Sequence, residues 1–375
     1  MRILHLVAYS LWSGPVPAVA GLAKAQRRLG HDVSLWYDTK RGIMQGYEEE
    51  ARDHLQRDFR EQPLTLSTKS NPVEWIRDCL KLREFIGDKQ PDILHVHLSH
   101  DHFLARSVVS QKGTSPRLVR TIHSRRPLTN RLGQKVLFKG TAGVILRSDD
   151  HRSRFELHYA GSGATSVIPS GVDLDRFRPL NDERRAQIRQ SLGLPPDAVV
   201  ICHAGLISNR GQTELLEAVQ SQERDNVWIL YLGRGDGETE LRSSIAKVSI
   251  RDRIRCLGYL SGDDLVGIYN ASDLAFVGRL GNDAGGRIAL EPMACQTPIF
   301  GNNDGALEDI FDSDRGWPCR EFISADIGAA LRRALEAGPS VMAEKGLNAR
   351  AWVNEKRNFR LEAQSTNRFY EDLIS

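Results

Sequence analysis

A chain of 375 residues, 40% hydrophobic and 26% charged, is long enough for two or three domains, because a single core rarely grows beyond about 250–300 residues. No apolar run approaches the roughly 18–20 residues that cross a bilayer, and five cysteines without a C-x-x-C pair exclude a disulfide framework or a zinc ribbon and point to a reducing cytoplasm. Net charge is +3 but uneven: residues 1–165 hold 26 Lys/Arg against 17 Asp/Glu, the remainder 25 against 31, and ten bases without one acid run from Arg106 to Arg147.

In chain order, the opening "MRILHLVAY" predicts a first strand rather than a signal peptide. A turn at "WSGPVP" leads into "AVAGLAKAQRRLG", whose apolar spacing and closing Gly30 predict a capped helix. "DVSLWY", "DILHVHL", "RLVRTIH" and "AGVILRS" predict further strands. After a turn-rich, charged stretch the alternation restarts with "AVVICHAG", "VWILYLG", "RIRCLG", "LAFVG" and "PIFG", separated by helices such as "TELLEAVQS" and "DDLVGIYNA". Short apolar runs alternating with helix-length segments are the pattern of parallel α/β layers. The architecture predicted is α/β, two doubly wound Rossmann-like domains joined near residues 165–190. Such sheets bind ligands at the carboxyl ends of their strands.

Two features invite a different reading. "YLGRGDGETELRSSI" follows a strand and opens a helix, but its glycines, Gly233, Gly235 and Gly237, are spaced G-x-G-x-G and not as the dinucleotide fingerprint requires. A tight strand-to-helix turn is the better reading. The basic run is either a solvated face or a surface that meets something anionic, such as a phosphorylated glycolipid, an acidic polymer or a membrane. Nucleic acid is disfavoured, because the run lacks interleaved aromatics.

At "SVIPSGVDLDRFRPL", the spacing of proline, Gly171, Val172, Asp173 and Phe177 resembles the interdomain signature of glycosyltransferase family 4. "SGPVPAVAGLAKAQRRLGHDV", "PDILHVHLSH", "RTIHSRRP", "AGLISNRGQTELLEAV" and "LGYLSGDDLVGIYNASDLAFV" are similar to further family segments in the same order. The resemblance implies a GT-B fold: an N-terminal acceptor-binding domain over 1–168, a C-terminal nucleotide-sugar-binding domain over 169–357, a cleft between them, and a last helix over 358–375 that crosses back to the first domain. It implies retaining transfer from a nucleoside diphosphate sugar, with no metal and no other cofactor. The D-x-D pairs Asp173/Asp175 and Asp312/Asp314 sit in turn segments and read as chance.

The stretch "GNDAGGRIALEPMACQTPIFG" is then similar to the family's paired-acid motif, with Asp283 and Glu291 as the acids. A diphosphate's charge is well held by backbone N–H groups at a helix N-terminus, which glycines let it approach; Gly285, Gly286, Arg287 and Ile288 are the candidates. By resemblance Glu291 accepts from the ribose hydroxyls, with an ion pair to a nearby arginine as the alternative, and Asp283 contacts the transferred sugar. Asp283 is one methylene shorter than the usual Glu, Gln296 stands where a Gly is common, and Gly205 stands where an Arg is usual. Arg210 replaces the usual Lys on the diphosphate, with Arg279 and Arg287 as candidates to make up the missing cation. His123 is the strand-end histidine that meets the donor sugar, orienting it by hydrogen bonding, and Gly14 is left to reach the phosphates.

"HVHLSHDH" packs His95, His97, His100 and His102 into eight residues. His95 and His97 share one strand face as zinc ligands can, but acceptor contacts are favoured over metal, with His97, Arg125 and Arg126 on the acceptor side. The function expected is a cytoplasmic retaining glycosyltransferase acting on a glycan or glycolipid of a bacterial envelope or polysaccharide pathway (lipopolysaccharide included), peripheral at the inner membrane face if the basic run 106–147 touches lipid. The alternatives are a nucleotide-sugar-binding protein of weak or no turnover and a GT-B sugar-nucleotide epimerase.

Overall fold

A computed structural model describes residues 1–9, 14–38, 59, 64–66, 71–109, 116–129, 132–279, 286–304 and 307–375. Among these, residues of Met1–Gly171 and Phe359–Ser375 form one compact unit, and 172–279 with 286–358 form a second.

The first unit contains strands β1 (Arg2–Val7), β2 (Asp32–Tyr37), β3 (Ile93–Val96), β4 (Arg117–Thr121), β5 (Gly143–Leu146) and β6 (Ala164–Val167). They form one parallel sheet in the order β2-β1-β3-β4-β5-β6, with His5 opposite His95 in register. Its helices are α1 (Val16–Arg28), α2 (Pro72–Lys89), α3 (Ser99–Val108), α4 (Leu132–Lys139), α5 (Asp149–Tyr159) and, from the end of the chain, α12 (Phe359–Ile374). Strand alternation divides β1 between two cores. Ile3 and Val7 face Val19 and Ala23 of α1 and Phe369 and Tyr370 of α12; Leu4 and Leu6 face Leu82 of α2 and Leu104 of α3. The last helix seats closely: a Cβ on Gly21 would lie 2.1 Å from the Phe359 ring, and one on Gly143 would lie 2.6 Å from Leu373.

The second unit contains β7 (Val199–Ala204), β8 (Val227–Leu232), β9 (Ile254–Gly258), β10 (Leu274–Val277), β11 (Ile299–Gly301) and β12 (Gly316–Pro318). They are parallel in the order β12-β11-β10-β7-β8-β9. Its helices are α6 (Asp182–Ser191), α7 (Gln212–Gln220), α8 (Glu238–Ala246), α9 (Gly262–Ala271), α10 (Arg287–Ala294) and α11 (Ser324–Lys356), the last being two helical stretches that meet at Gly338 (φ 80°) before Pro339. One sheet face packs α9 and α10 through Val266, Tyr269, Ala289 and Met293. The other packs α7 and α11 through Leu215, Leu216, Ile327 and Leu331.

The ten strands expected from the apolar runs are all present, and each is close to its expected place. Two were not expected: β6, "ATSV", and β12, "GWP". Both are edge strands of three or four residues, too short to show a periodic apolar pattern. The D-x-D pairs are turns: Asp173 Oδ1 accepts from the amides of Asp175 and Arg176, and Asp312 Oδ1 from those of Asp314 and Arg315.

Candidate active site

In a doubly wound sheet the crevice opens where strand order reverses. In the second unit that point lies between β7 and β10. The loop after β7 begins at Gly205 (φ 150°) and ends at Gly211 (φ 108°), which caps α7. Gln212 ties it down: its Oε1 accepts from the Arg210 amide at 3.1 Å and its Nε2 donates to Leu206 O at 3.0 Å. His203, buried beneath, has Nδ1 3.1 Å from Phe276 O, so that nitrogen carries the proton. Burial lowers its pKa to about 4, so the ring is neutral. The three glycines after β8 serve this loop. A Cβ on Gly233 would lie 1.8 Å from Gly205 O, and one on Gly235 2.0 Å from Ile207 O. They let one backbone lie on another, the tight turn that the G-x-G-x-G spacing suggested.

Beyond β10, Gly278 packs on the Arg210 carbonyl, where a Cβ would lie 2.1 Å away, and that carbonyl accepts from the Arg279 amide at 3.0 Å. Asp283 and Gly285 lie outside the described residues. Gly286 caps α10 at φ 66°, and a Cβ there would also strike Ile310 at 2.5 Å. The helix then presents the first-turn N–H groups, those of Arg287 and Ile288 among them, at its positive end. Glu291 sits one turn in, 9% exposed. Its Oε2 accepts from the Tyr269 hydroxyl at 3.0 Å, and Arg287 Nη1 is 3.8 Å from Oε1. The ion pair weighed as an alternative is thus present, but at a distance too long for a hydrogen bond. Tyr269, the stronger partner, carries no sequence signal that links it to Glu291. Arg279, one candidate for the missing cation, is engaged with Glu214 at 3.2 Å and lies 4.5 Å over the Phe322 ring.

In the first unit the reversal lies between β1 and β3. Gly14 (φ 55°) is beside the Tyr9 ring just before α1; Ser13 lies outside the described residues. His97 follows β3, and His123 lies two residues beyond β4. His97 Nδ1 is 3.0 Å from His123 Nε2, and His97 Nε2 is 3.0 Å from His5 Nδ1. His95 is held by Tyr370 (2.6 Å) and Thr121 (2.7 Å), and His102 by Thr141 (2.8 Å). His5, His95 and His97 bring ring nitrogens within 4.8 Å of one another, yet all six are already hydrogen-bonded to protein groups. The cluster is a hydrogen-bond network rather than converging lone pairs. Burial lowers the His5 pKa to about 4 and holds His95 and His97 well below the usual 6.5.

The basic run divides. Arg120 and Arg147 are buried, paired with Asp101 (3.5 Å) and Glu362 (2.7 Å), so these two belong to the core and not to a charged face. Burial raises the Asp101 carboxyl to about 6. Arg125, with Asp150 3.1 Å away, and Arg126 are exposed. On α4, Leu132 is 83% and Val136 69% exposed, beside Lys135 and Lys139.

Residues 12–176 match the model of Glycosyltransferase Family 4, and 184–351 that of Glycosyl transferases group 1. The chain belongs to this family. A D-inositol 3-phosphate glycosyltransferase 2 of Catenulispora acidiphila is 29% identical over 238 residues, 60% of this chain and 54% of that protein. The chain spans about half the length of the curated relatives it matches. A solved glycosyltransferase from Rickettsia africae has a TM-score of 0.80 at 18% identity, over 100% of this chain and 99% of that one. Anabaena HepE, solved with UDP and glucose, has 0.77 at 16% identity over 99% of each chain. The fold is GT-B, built of two Rossmann-like units. No described helix is long and apolar enough to cross a membrane.

Proposed function

We propose that this family 4 chain transfers a sugar from a nucleoside diphosphate sugar to a glycan or glycolipid acceptor, with retention, in a cytoplasmic step of bacterial envelope or polysaccharide synthesis. The observation that carries the reading is α10: a glycine-capped N-terminus beside the switch point, followed one turn later by a buried carboxylate that Tyr269 orients. Amides of that first turn and the Arg210 guanidinium meet the diphosphate, and Glu291 accepts from the ribose hydroxyls. Arg287, the first residue of the same helix, supplies the second cation; Asp283 and His123 contact the transferred sugar. The acceptor oxygen attacks the anomeric carbon as its bond to the diphosphate breaks, and the acceptor's proton passes to the departing phosphate oxygen. Stabilising that phosphate is then the main catalytic work. Neither a resident cofactor nor a metal has a role in this scheme.

The acceptor is taken by the first unit, near the exposed Arg125 and Arg126; His97, expected on the acceptor side, is 0% exposed with both ring nitrogens bonded to His5 and His123, so it serves the site through His123 and not by direct contact. The apolar tip of α4 with its lysines supports peripheral contact with an anionic membrane face, and a relative named for inositol 3-phosphate is consistent with an anionic acceptor. One observation favours a second reading, a nucleotide-sugar-binding protein without turnover: at the start of the loop after β7, Gly205 stands where the family usually has an arginine, and Leu206 beside it is 48% exposed.

Thermal stabilisation by a panel of nucleoside diphosphates and their sugars tests the donor site, since a ligand specific for the folded state adds RT ln(1 + [L]/Kd). One nucleotide is expected to raise Tm, and Glu291→Ala to abolish the shift. No shift with any of them refutes the reading. Slow release of free sugar from the bound donor separates an enzyme from a binding protein.

A further inference from the structure

The hydrogen bonds that reach His123 begin at the far end of the chain. On α12, Asn367 Oδ1 accepts from Gln26 Nε2 of α1 at 2.9 Å. Gln26 Oε1 lies 2.8 Å from His5 Nε2, His5 Nδ1 3.0 Å from His97 Nε2, and His97 Nδ1 3.0 Å from His123 Nε2. Gln26, His5 and His97 are 0% exposed and Asn367 is 6% exposed.

A neutral imidazole carries one N–H and one lone pair, so the bond made by one nitrogen decides the role of the other. The amide oxygen of Gln26 can only accept, which puts the His5 proton on Nε2. His5 Nδ1 must then accept from His97 Nε2–H, and His97 Nδ1 must accept from His123 Nε2–H. Burial keeps His5 and His97 uncharged at neutral pH, so neither can donate from both nitrogens. His123 Nε2 therefore carries a proton, and in the neutral ring Nδ1 is its lone-pair atom.

We propose that this chain is a tautomer lock: Gln26 and His97 are positioning residues that hold His123 with Nε2–H turned into the protein and Nδ1 as a hydrogen-bond acceptor. On the transfer reading, on which this clause rests, the neutral His123 ring meets a substrate as an acceptor for a hydroxyl and not as a donor to a phosphate oxygen. The polarity is set by Asn367, 341 residues from Gln26 in sequence, so the last helix helps to set the state of a ring in the site.

Long-range 1H–15N spectra of the full chain with 15N-labelled histidine, without substrate, read each tautomer directly. His5, His97 and His123 are all expected as Nε2–H at pH 7.5; an Nδ1–H form at any of the three overturns the proposal. Gln26→Met removes the fixed acceptor and is expected to mix the tautomers of His97 and His123. It should lower donor turnover about two- to tenfold, the worth of one hydrogen bond, without changing donor KM. Unmixed Nε2–H tautomers in the variant would also overturn the lock. If that protein does not fold, Asn367→Leu, which lets the Gln26 amide turn, tests the same direction. A wild type with the expected tautomers that binds and hydrolyses no nucleotide sugar would sink the transfer reading and leave the lock standing.

Discussion

At the switch point of the second unit, the ends of β7 and β10 offer backbone: glycine at 205, 211, 278 and 286, and helix amides, with Arg210, Arg287 and one oriented carboxylate beside them. At the switch point of the first, β1 and the ends of β3 and β4 offer imidazoles bonded to one another, with His5 and His97 buried and His123 half-buried. The two sheets share a parallel, doubly wound plan and differ in what that plan is asked to hold. On the transfer proposed above, a diphosphate is a fixed charge that dipoles and guanidinium groups would meet without titration. A sugar or acceptor hydroxyl is neutral and is read by the direction of its hydrogen bonds, which neutral histidines can specify. Burial serves both ends: it orients Glu291 against Tyr269 and keeps the histidines uncharged.

The largest effect should come from the charged end. Arg210→Ala is expected to lower donor turnover about 10²–10³-fold, the usual worth of a donor aimed at developing charge, while histidine tautomers in the first unit stay as they are. Steady-state release of free sugar and the nitrogen spectra check the two halves of that statement. Equal disturbance of both would mean that the units are not chemically separate.

Acid should separate the units in the opposite sense. His5 and His151 titrate near 4 in the folded chain, and His95, His97 and His102 well below 6.5, each because burial penalises the charged ring. In the unfolded chain they take up protons near 6.5. Their contribution is therefore full above pH 6.5 and is lost as pH falls from 6.5 toward 4, by about 1.4 kcal/mol per histidine per pH unit. Asp101, raised to about 6, runs the other way: it favours the folded state as pH falls below 6 and offsets part of that loss. Among the described residues the second unit has only His203 so deeply buried and so shifted. Between pH 7.5 and 5, amide protection in β1, β3 and β4 is expected to collapse before that in β7, β8 and β10. Loss of the second unit first would break the comparison.

The smallest effect concerns backbone strain. Gln296 follows α10 at φ 64°, where a side chain costs about 1 kcal/mol more than glycine does. Gln296→Gly is expected to stabilise the second unit by about 0.5–1 kcal/mol, read as a higher urea midpoint for its strands alone. The common glycine at this place has a physical reason, and this chain departs from it at a modest cost.

Local pattern was enough for much of this. Apolar runs of four to eight residues marked ten strands, because a strand buried on both faces must be apolar along its length. Gly30 and Gly286 marked a helix end and a helix start, because both need a positive φ. The order of weak motifs pointed to the family, and Glu291 stood out as a carboxylate in an apolar helix. What the sequence could not determine was partnership. The basic run looked uniform, yet Arg120 and Arg147 turn inward to Asp101 and Glu362, since strand alternation and a helix 215 residues away decide which arginines find an acid. Four histidines in eight residues suggested a local cluster, but the chain that matters joins two of its neighbours across strands: His97 to His5, 92 residues earlier, and through it to Gln26 and Asn367. Hydrogen-bond direction depends on which atoms topology brings within 3 Å, and only the folded chain sets that.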